Sequence, residues 1–376
     1  MKIGILTLPI HINYGGILQA YALMQVLKNM GHDPILIDEY KSFYLPIKKR
    51  PKEYSKRFIK KYLLQNKDVN VFQERNRRRE LLITGRNIKY FNDIYLQPKI
   101  PVKKLKELKD KDFDAFVVGS DQIWRSKYYP RIEDAFFNFA KNWNVKRLSY
   151  APSFGAGSWE YSDEQTKKCK KLLGKFDAIS VREDIGVELV SKFLDNTATH
   201  VLDPTMLLSK SNYIEILKQR KSEVKAKDIF VYVLDPNEIT DKVIDKLSDK
   251  YGYKPFFTST DNQKVSIENR KASSVEDWLR SFYEAKYVVT DSFHATAFSI
   301  IFNKPFVSYC NKERGAARFK SLLKEFNLEH RMVVDKKDLD NSELLNKEVD
   351  WDSVNNILEK RIFQCKKFIE EGLNDE

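Results

Sequence analysis

The chain opens on a short aliphatic run, Lys2 to Leu8, broken at once by polar residues and glycines. Similar runs recur at Pro34 to Asp38, Phe113 to Val118, Arg147 to Tyr150, Ala178 to Val181 and His200 to Leu202. They return at Ile229 to Leu234, Pro255 to Phe257, Tyr287 to Thr290 and Pro305 to Tyr309. Short apolar runs bounded by turn residues predict buried strands. Helical stretches lie between them: Ile17 to Met30, Asp163 to Leu173, Asp184 to Phe193, Thr240 to Tyr251, Val275 to Glu284, Ala295 to Phe302 and Arg314 to Phe326. A long helix, Asp352 to Glu371, closes the chain. Strand and helix in alternation predict an α/β fold with parallel sheets, opened by a doubly wound β-α-β unit. A new unit begins near Met206, so the expected division is 1–205, 206–350 and a C-terminal helix in 351–376.

Charge changes this picture in one place. The chain of 376 residues carries a formal net charge of +13. Residues 47–106 hold 19 Lys and Arg against 5 Asp and Glu, a balance of +14, so the rest is close to neutral. Within this segment Tyr54, Phe58 and Tyr62 fall at helical spacing, and Arg75, Arg77, Arg78 and Arg79 follow. The segment reads as a basic helical insertion on the first domain. It is either a solvated face, whose aromatics pack back on the domain, or a surface for an anionic membrane. No nucleic-acid motif accompanies it, so nucleic acid is not expected as a partner. No apolar run is long enough to span a bilayer. The N-terminus reads as a first strand, not a signal peptide. Three scattered cysteines, Cys169, Cys310 and Cys365, fit a reduced cytoplasmic compartment and offer no metal-site spacing.

Candidate chemistry gathers at the predicted strand ends, where doubly wound sheets bind ligands. The turn Asp291-Ser292-Phe293-His294 opens an almost wholly apolar helix. Backbone N–H groups and the helix dipole favour an anion at such a turn. His294 there could move protons near neutral pH. Asp291 could orient the imidazole; alternatively, Asp291 or Ser292 simply caps the helix. Gly15 and Gly16, after Asn13 and Tyr14, would let a ligand approach the backbone closely, or serve a tight turn. No G-x-G-x-x-G is present, so no dinucleotide site is expected. Other strand ends carry Ser120, Asp121, Gln122 and nearby Trp124, then Arg182. Asp121 could bind sugar hydroxyls or form an Asx-turn. Arg314 and Arg318 begin a basic-tipped helix and suit an anionic ligand.

Six motifs in order, NYGGILQAYAL, FDAFVVGSDQIW, LSYAPSFG, ISVRE, VLDPTMLL and VTDSFHATAFSIIFNKPF, resemble those of the bacterial polysaccharide pyruvyl transferases. The resemblance runs from about Lys2 to Leu323. The family's usual glycine after the histidine is Ala295 here, a change tolerated if the helix starts there. The basic segment matches no family motif. The resemblance implies two Rossmann-like doubly wound domains facing across a cleft, as in GT-B glycosyltransferases. It implies transfer of a pyruvyl group from phosphoenolpyruvate onto two hydroxyls of a sugar, giving a ketal, with no metal or redox cofactor. The family histidine carries over to His294 and the donor-binding arginine to Arg182. Donor contacts are then expected from Arg182, Ser292, Arg314, Arg318, Gly15 and Gly16. Acceptor contacts are expected from Asn13, Tyr14, Ser120, Asp121, Gln122 and Trp124. The expected acceptor is a sugar or lipid-linked glycan precursor of a cell-surface polysaccharide. That places the protein in the cytoplasm, peripheral to the inner face of its membrane through the basic segment. Two other readings stay open: a GT-B-like glycosyltransferase using a nucleotide sugar, and a non-enzymatic membrane- or polyanion-binding protein.

Overall fold

A computed structural model describes residues 1–10, 13–40, 50–65, 70–258, 272–310 and 315–374, apart from the side chains of residues 50, 74, 77 and 78. Seven strands form the first sheet: β1 (Lys2–Leu6), β2 (Asp33–Glu39), β3 (Lys99–Val102), β4 (Ala115–Val118), β5 (Lys146–Ser149), β6 (Ala178–Val181) and β7 (Thr199–His200). Their spatial order is β3-β2-β1-β4-β5-β6-β7, and every pairing is parallel. The second sheet holds β8 (Ile229–Tyr232), β9 (Pro255–Phe257), β10 (Tyr287–Thr290), β11 (Phe306–Tyr309) and β12 (Met332–Val333). Its order is β12-β11-β10-β8-β9, again all parallel. Both are doubly wound Rossmann-like sheets. The order reverses between β1 and β4 in the first and between β8 and β10 in the second, so each has one switch point where a ligand crevice opens.

The central strands β4, β8 and β10 are buried at every residue, as parallel strands covered on both faces must be. Their continuous apolar runs made them legible. The helix Phe293–Ile301 is buried at all nine residues. Its Phe298 ring lies 4.9 Å from Tyr213, 5.2 Å from Trp278 and 5.8 Å from Phe282. The same apolar core continues into the first domain through the helix Tyr14–Asn29. Tyr14 stacks on Trp278 at 5.3 Å, so the two domains share packing. The C-terminal helix Trp351–Leu373 returns to the first sheet. There Arg361 donates to the His200 carbonyl at 2.9 Å, and Gly372 lies against Ala178 and Leu148.

Two expectations need correction. The basic segment is not helical throughout. It contains the helices Arg50–Phe58, Gln73–Thr84 and Arg86–Tyr95, but residues 99–102 form β3 at the edge of the first sheet. Pro101 sits within this strand, and an edge tolerates a residue with no ladder donor. Nor does the segment rest on the first domain alone. The Thr84 carbonyl accepts from Ala272 N at 3.0 Å, and Asn87 Nδ2 donates to the Ala272 carbonyl at 3.0 Å. Residues 41–49 and 66–69 of this region lie outside the described residues. Among the described residues, no helix is long and apolar enough to cross a membrane.

The packing of Phe298 yields a stability prediction. Phe298→Ala removes a fully buried ring between elements of the second domain. It should cost about 3–5 kcal/mol in urea unfolding, the range for large-to-small core substitutions. A loss under about 1 kcal/mol would show that this helix is not a packing centre.

Candidate active site

The two switch points face each other across a cleft of about 450 Å³. The first domain contributes Asn13 and Gly16 after β1 and Asp121 and Gln122 after β4. The second contributes Leu234 after β8, the turn Asp291 to His294 after β10, and Arg318 from the helix Ala316–Glu325. Ser292 caps the helix Phe293–Ile301, its hydroxyl accepting from Ala295 N at 3.4 Å. The helix therefore presents its positive end to the cleft. Because it starts at Phe293, Ala295 sits inside the first turn and needs no glycine conformation.

His294 lies at this wall, and the carboxylate behind it is that of Asp203. Their Nε2 and Oδ2 atoms are 3.6 Å apart, slightly beyond hydrogen-bond length. The same Oδ2 accepts from Ser120 Oγ at 2.9 Å and from Arg182 Nη1 at 2.9 Å. Oδ1 accepts from the Thr205 backbone at 3.0 Å and its hydroxyl at 2.8 Å. Burial alone would raise the Asp203 pKa. The facing His294 and Arg182 outweigh it and hold the carboxyl well below the usual range. The other ring nitrogen, Nδ1, lies over Gly15. A Cβ added there would sit 2.1 Å from it, so only a residue with no side chain lets the imidazole seat.

These contacts correct several sequence-based roles. Asp291 does not stand behind His294. Its carboxylate accepts from the backbone N–H groups of Leu234 at 2.7 Å and Asp235 at 2.8 Å, fastening the β8 loop to the β10 turn. Gly15 gives room to His294, not to a ligand. Arg182 is buried and held by Asp203 and, at 3.5 Å, by Asp121; it is not part of the cleft wall. Among the described residues, the guanidinium at the wall is that of Arg318. The Phe293 ring packs against both, 4.4 Å from Arg182 and 5.6 Å from Arg318. Burial and the like charge of Arg182 push the Arg318 pKa down to about 10, so it remains cationic at neutral pH. Arg314 lies outside the described residues.

Of the expected acceptor contacts, Asn13, Asp121 and Gln122 border the cleft. Three others lie behind its wall. Ser120 is fully buried, its backbone N–H donating to Gln19 Oε1 and its hydroxyl to Asp203. Tyr14 donates to the Ser273 carbonyl at 2.8 Å. Trp124 stacks on Phe136 at 4.7 Å and donates to the Ala135 carbonyl. Their apolar area is used in packing. Among the described residues, no cluster of His, Cys, Asp and Glu could hold a metal ion.

Sequence comparison bears directly on this site. A family model described as polysaccharide pyruvyl transferase matches residues 13–312. The chain belongs to the polysaccharide pyruvyl transferase family. This family membership makes it a transferase of polysaccharide biosynthesis with a sugar or glycan acceptor. No curated protein matches it. Solved structures resemble it in fold. The UDP-GlcNAc 2-epimerase from Neisseria meningitidis bound to UDP-GlcNAc superposes with a TM-score of 0.50 at 11% identity, over 99% of this chain and 99% of that one. A putative UDP-N-acetylglucosamine 2-epimerase from Listeria monocytogenes gives 0.50 at 8% identity, over 95% and 90%. At such identities the likeness is one of architecture, and it is GT-B-like.

The family motifs explain the geometry. They fall at the ends of β1, β4, β5, β6, β7 and β10; of these, Gly15, Ser120, Arg182 and Asp203 gather around His294 directly or through Asp203. Sequence reasoning missed three residues among them. Asp203 was visible only as the polar end of a strand. Gln19, whose amide joins Thr7 and Ser120, lay inside an apolar helix pattern. Glu183, next to Arg182, accepts from Ser153 Oγ at 2.8 Å and Phe154 N at 2.9 Å and so sets the β5 loop.

Two expectations follow from this geometry. Gly15→Ala should leave the helix folded but displace His294, lowering turnover about 10²-fold, as an ångström-scale misplacement does. Normal turnover with a normal melting curve would contradict the contact. Asp203→Asn tests the buried charge. A depressed folded-state pKa gives stability that is full above the unfolded value of about 3.9 and is lost as pH falls below it. The variant should lose about 3 kcal/mol at pH 7, because Arg182 is left buried and under-paired. Its stability should then fall less steeply than wild type below about pH 4. Parallel pH profiles in urea unfolding would refute the ionised role.

Proposed function

We propose that the cleft transfers the pyruvyl group of phosphoenolpyruvate to two hydroxyls of a sugar in a cell-surface polysaccharide precursor, forming a cyclic ketal. The observation that carries this reading is the meeting of His294, backed by Asp203, with Arg318 at the positive end of a buried helix. Phosphoenolpyruvate brings a carboxylate and a phosphate, and both suit a guanidinium and helix N–H groups. Arg318 and the Ser292–Phe293 turn bind the donor. Asn13, Asp121 and Gln122 offer hydrogen bonds to sugar hydroxyls.

The reaction is redox-neutral and calls for no cofactor. A proton adds to the methylene carbon of the donor, and a sugar hydroxyl oxygen bonds to its C2. The bond from C2 to the phosphate oxygen breaks, and a second hydroxyl oxygen takes that place on C2. One hydroxyl proton ends in the new methyl group, balancing the proton first added, and the other leaves with inorganic phosphate. His294 transfers these protons as acid and then base. Asp203 is a positioning residue, its carboxylate facing Nε2 at 3.6 Å. Arg182 in turn holds Asp203 ionised. The donor is a cytoplasmic metabolite, so the reaction belongs to that compartment.

Incubation with phosphoenolpyruvate and a panel of sugars, with inorganic phosphate measured, tests the reading. His294→Ala should lower turnover by about 10²–10⁴-fold. Arg318→Lys should chiefly raise KM for phosphoenolpyruvate, since lysine lacks the planar fork. Arg182→Lys should chiefly lower kcat. Undiminished phosphate release by folded His294→Ala would overturn the assignment. Release of a nucleoside diphosphate from an added nucleotide sugar would favour the glycosyltransferase reading instead.

A further inference from the structure

The basic segment carries a second surface. The helix Arg50–Phe58 runs directly into a π-helical turn, Ile59–Leu63, that buries none of its residues. Phe58, Ile59, Tyr62, Leu63 and Leu64 are 55%, 47%, 58%, 73% and 68% exposed. The Phe58 and Tyr62 rings pack on each other at 4.6 Å. Beyond them Phe72, 54% exposed, meets Tyr54 at 5.4 Å. A contiguous apolar patch of this kind on a soluble surface marks an interaction site. Its setting is cationic: residues 50–64 contain six Lys and Arg and one Glu. Lys52, Lys56 and Lys60 are exposed beside the apolar residues.

We propose that this turn docks the protein on an anionic phospholipid bilayer. Aromatic and aliphatic side chains fringed by lysines are the composition of a helix lying in a lipid interface. The aromatics suit the headgroup level, and the lysines meet the lipid phosphates. A core-facing stripe is ruled out by the exposures. A purely polyanionic ligand would leave five apolar side chains in water. The surface depends on its own residues and not on the chemistry proposed for the cleft.

Co-sedimentation with phosphatidylcholine vesicles, with and without phosphatidylglycerol, reads it directly. Binding should appear on the anionic vesicles at about 0.05 M salt and weaken at least about tenfold on neutral vesicles or at about 0.5 M salt. The variant Phe58→Ser/Tyr62→Ser/Leu63→Ser and the variant Lys56→Glu/Lys60→Glu should each weaken it by a similar factor. Both should keep wild-type melting curves and wild-type turnover of a short soluble sugar acceptor. Negligible binding to either vesicle at low salt would overturn the proposal. So would equal binding to both vesicle types, or a wild-type dimer in solution that the apolar substitutions dissociate. Vesicle binding is read without turnover, so its failure and a failure of the pyruvyl-transfer reading are separate results.

Discussion

The ionised carboxylate of Asp203 is the constraint on which the site depends. A charge removed from water is costly unless donors and opposite charges surround it. Asp203 has two donors from Thr205, one from Ser120 and one from Arg182, with His294 facing it. Each partner comes from a different strand end: Ser120 from β4, Arg182 from β6 and His294 from β10. Satisfying one buried charge therefore fixes three loops of the first domain against a turn of the second. The apolar core shared through Tyr14 and Trp278 holds the domains close enough for that contact.

From this follows a division of labour between the two arginines. Arg182 is buried between Asp203 and Asp121, so its charge is spent on keeping the network ionised. Arg318 lies at the cleft wall, where burial and the charge of Arg182 lower its pKa to about 10. The Phe293 ring packs against both guanidiniums, a favourable arrangement for both cations.

Much of this was legible in the sequence. The strands Ala178–Val181 and Tyr287–Thr290 and the helix Asp163–Leu173 were readable to the residue. Each is an apolar or periodic run with clear stops, and Ser162 adds a capping box. His294 was readable from its turn and its motif. Its partner was not. Asp203 and Asp291 both end strands, and only the meeting of the two domains decides between them. For the same reason Gly15 read as a ligand-facing glycine, when the atoms it makes room for belong to the other domain. The strands β3 and β12 were missed because two to four residues carry no period. The stripe of Tyr54, Phe58 and Tyr62 was visible, but periodicity states that a face is apolar and not what covers it.

The central claim is that this cleft joins the pyruvyl carbon of phosphoenolpyruvate to two oxygens of one sugar. It is tested most directly by ¹³C NMR of the product formed from donor labelled at C2. The account predicts a labelled quaternary ketal carbon bonded to two sugar oxygens, with one inorganic phosphate released per ketal. Label that stays in phosphoenolpyruvate or free pyruvate, or a sugar joined through a nucleotide-derived glycosidic bond, would contradict it.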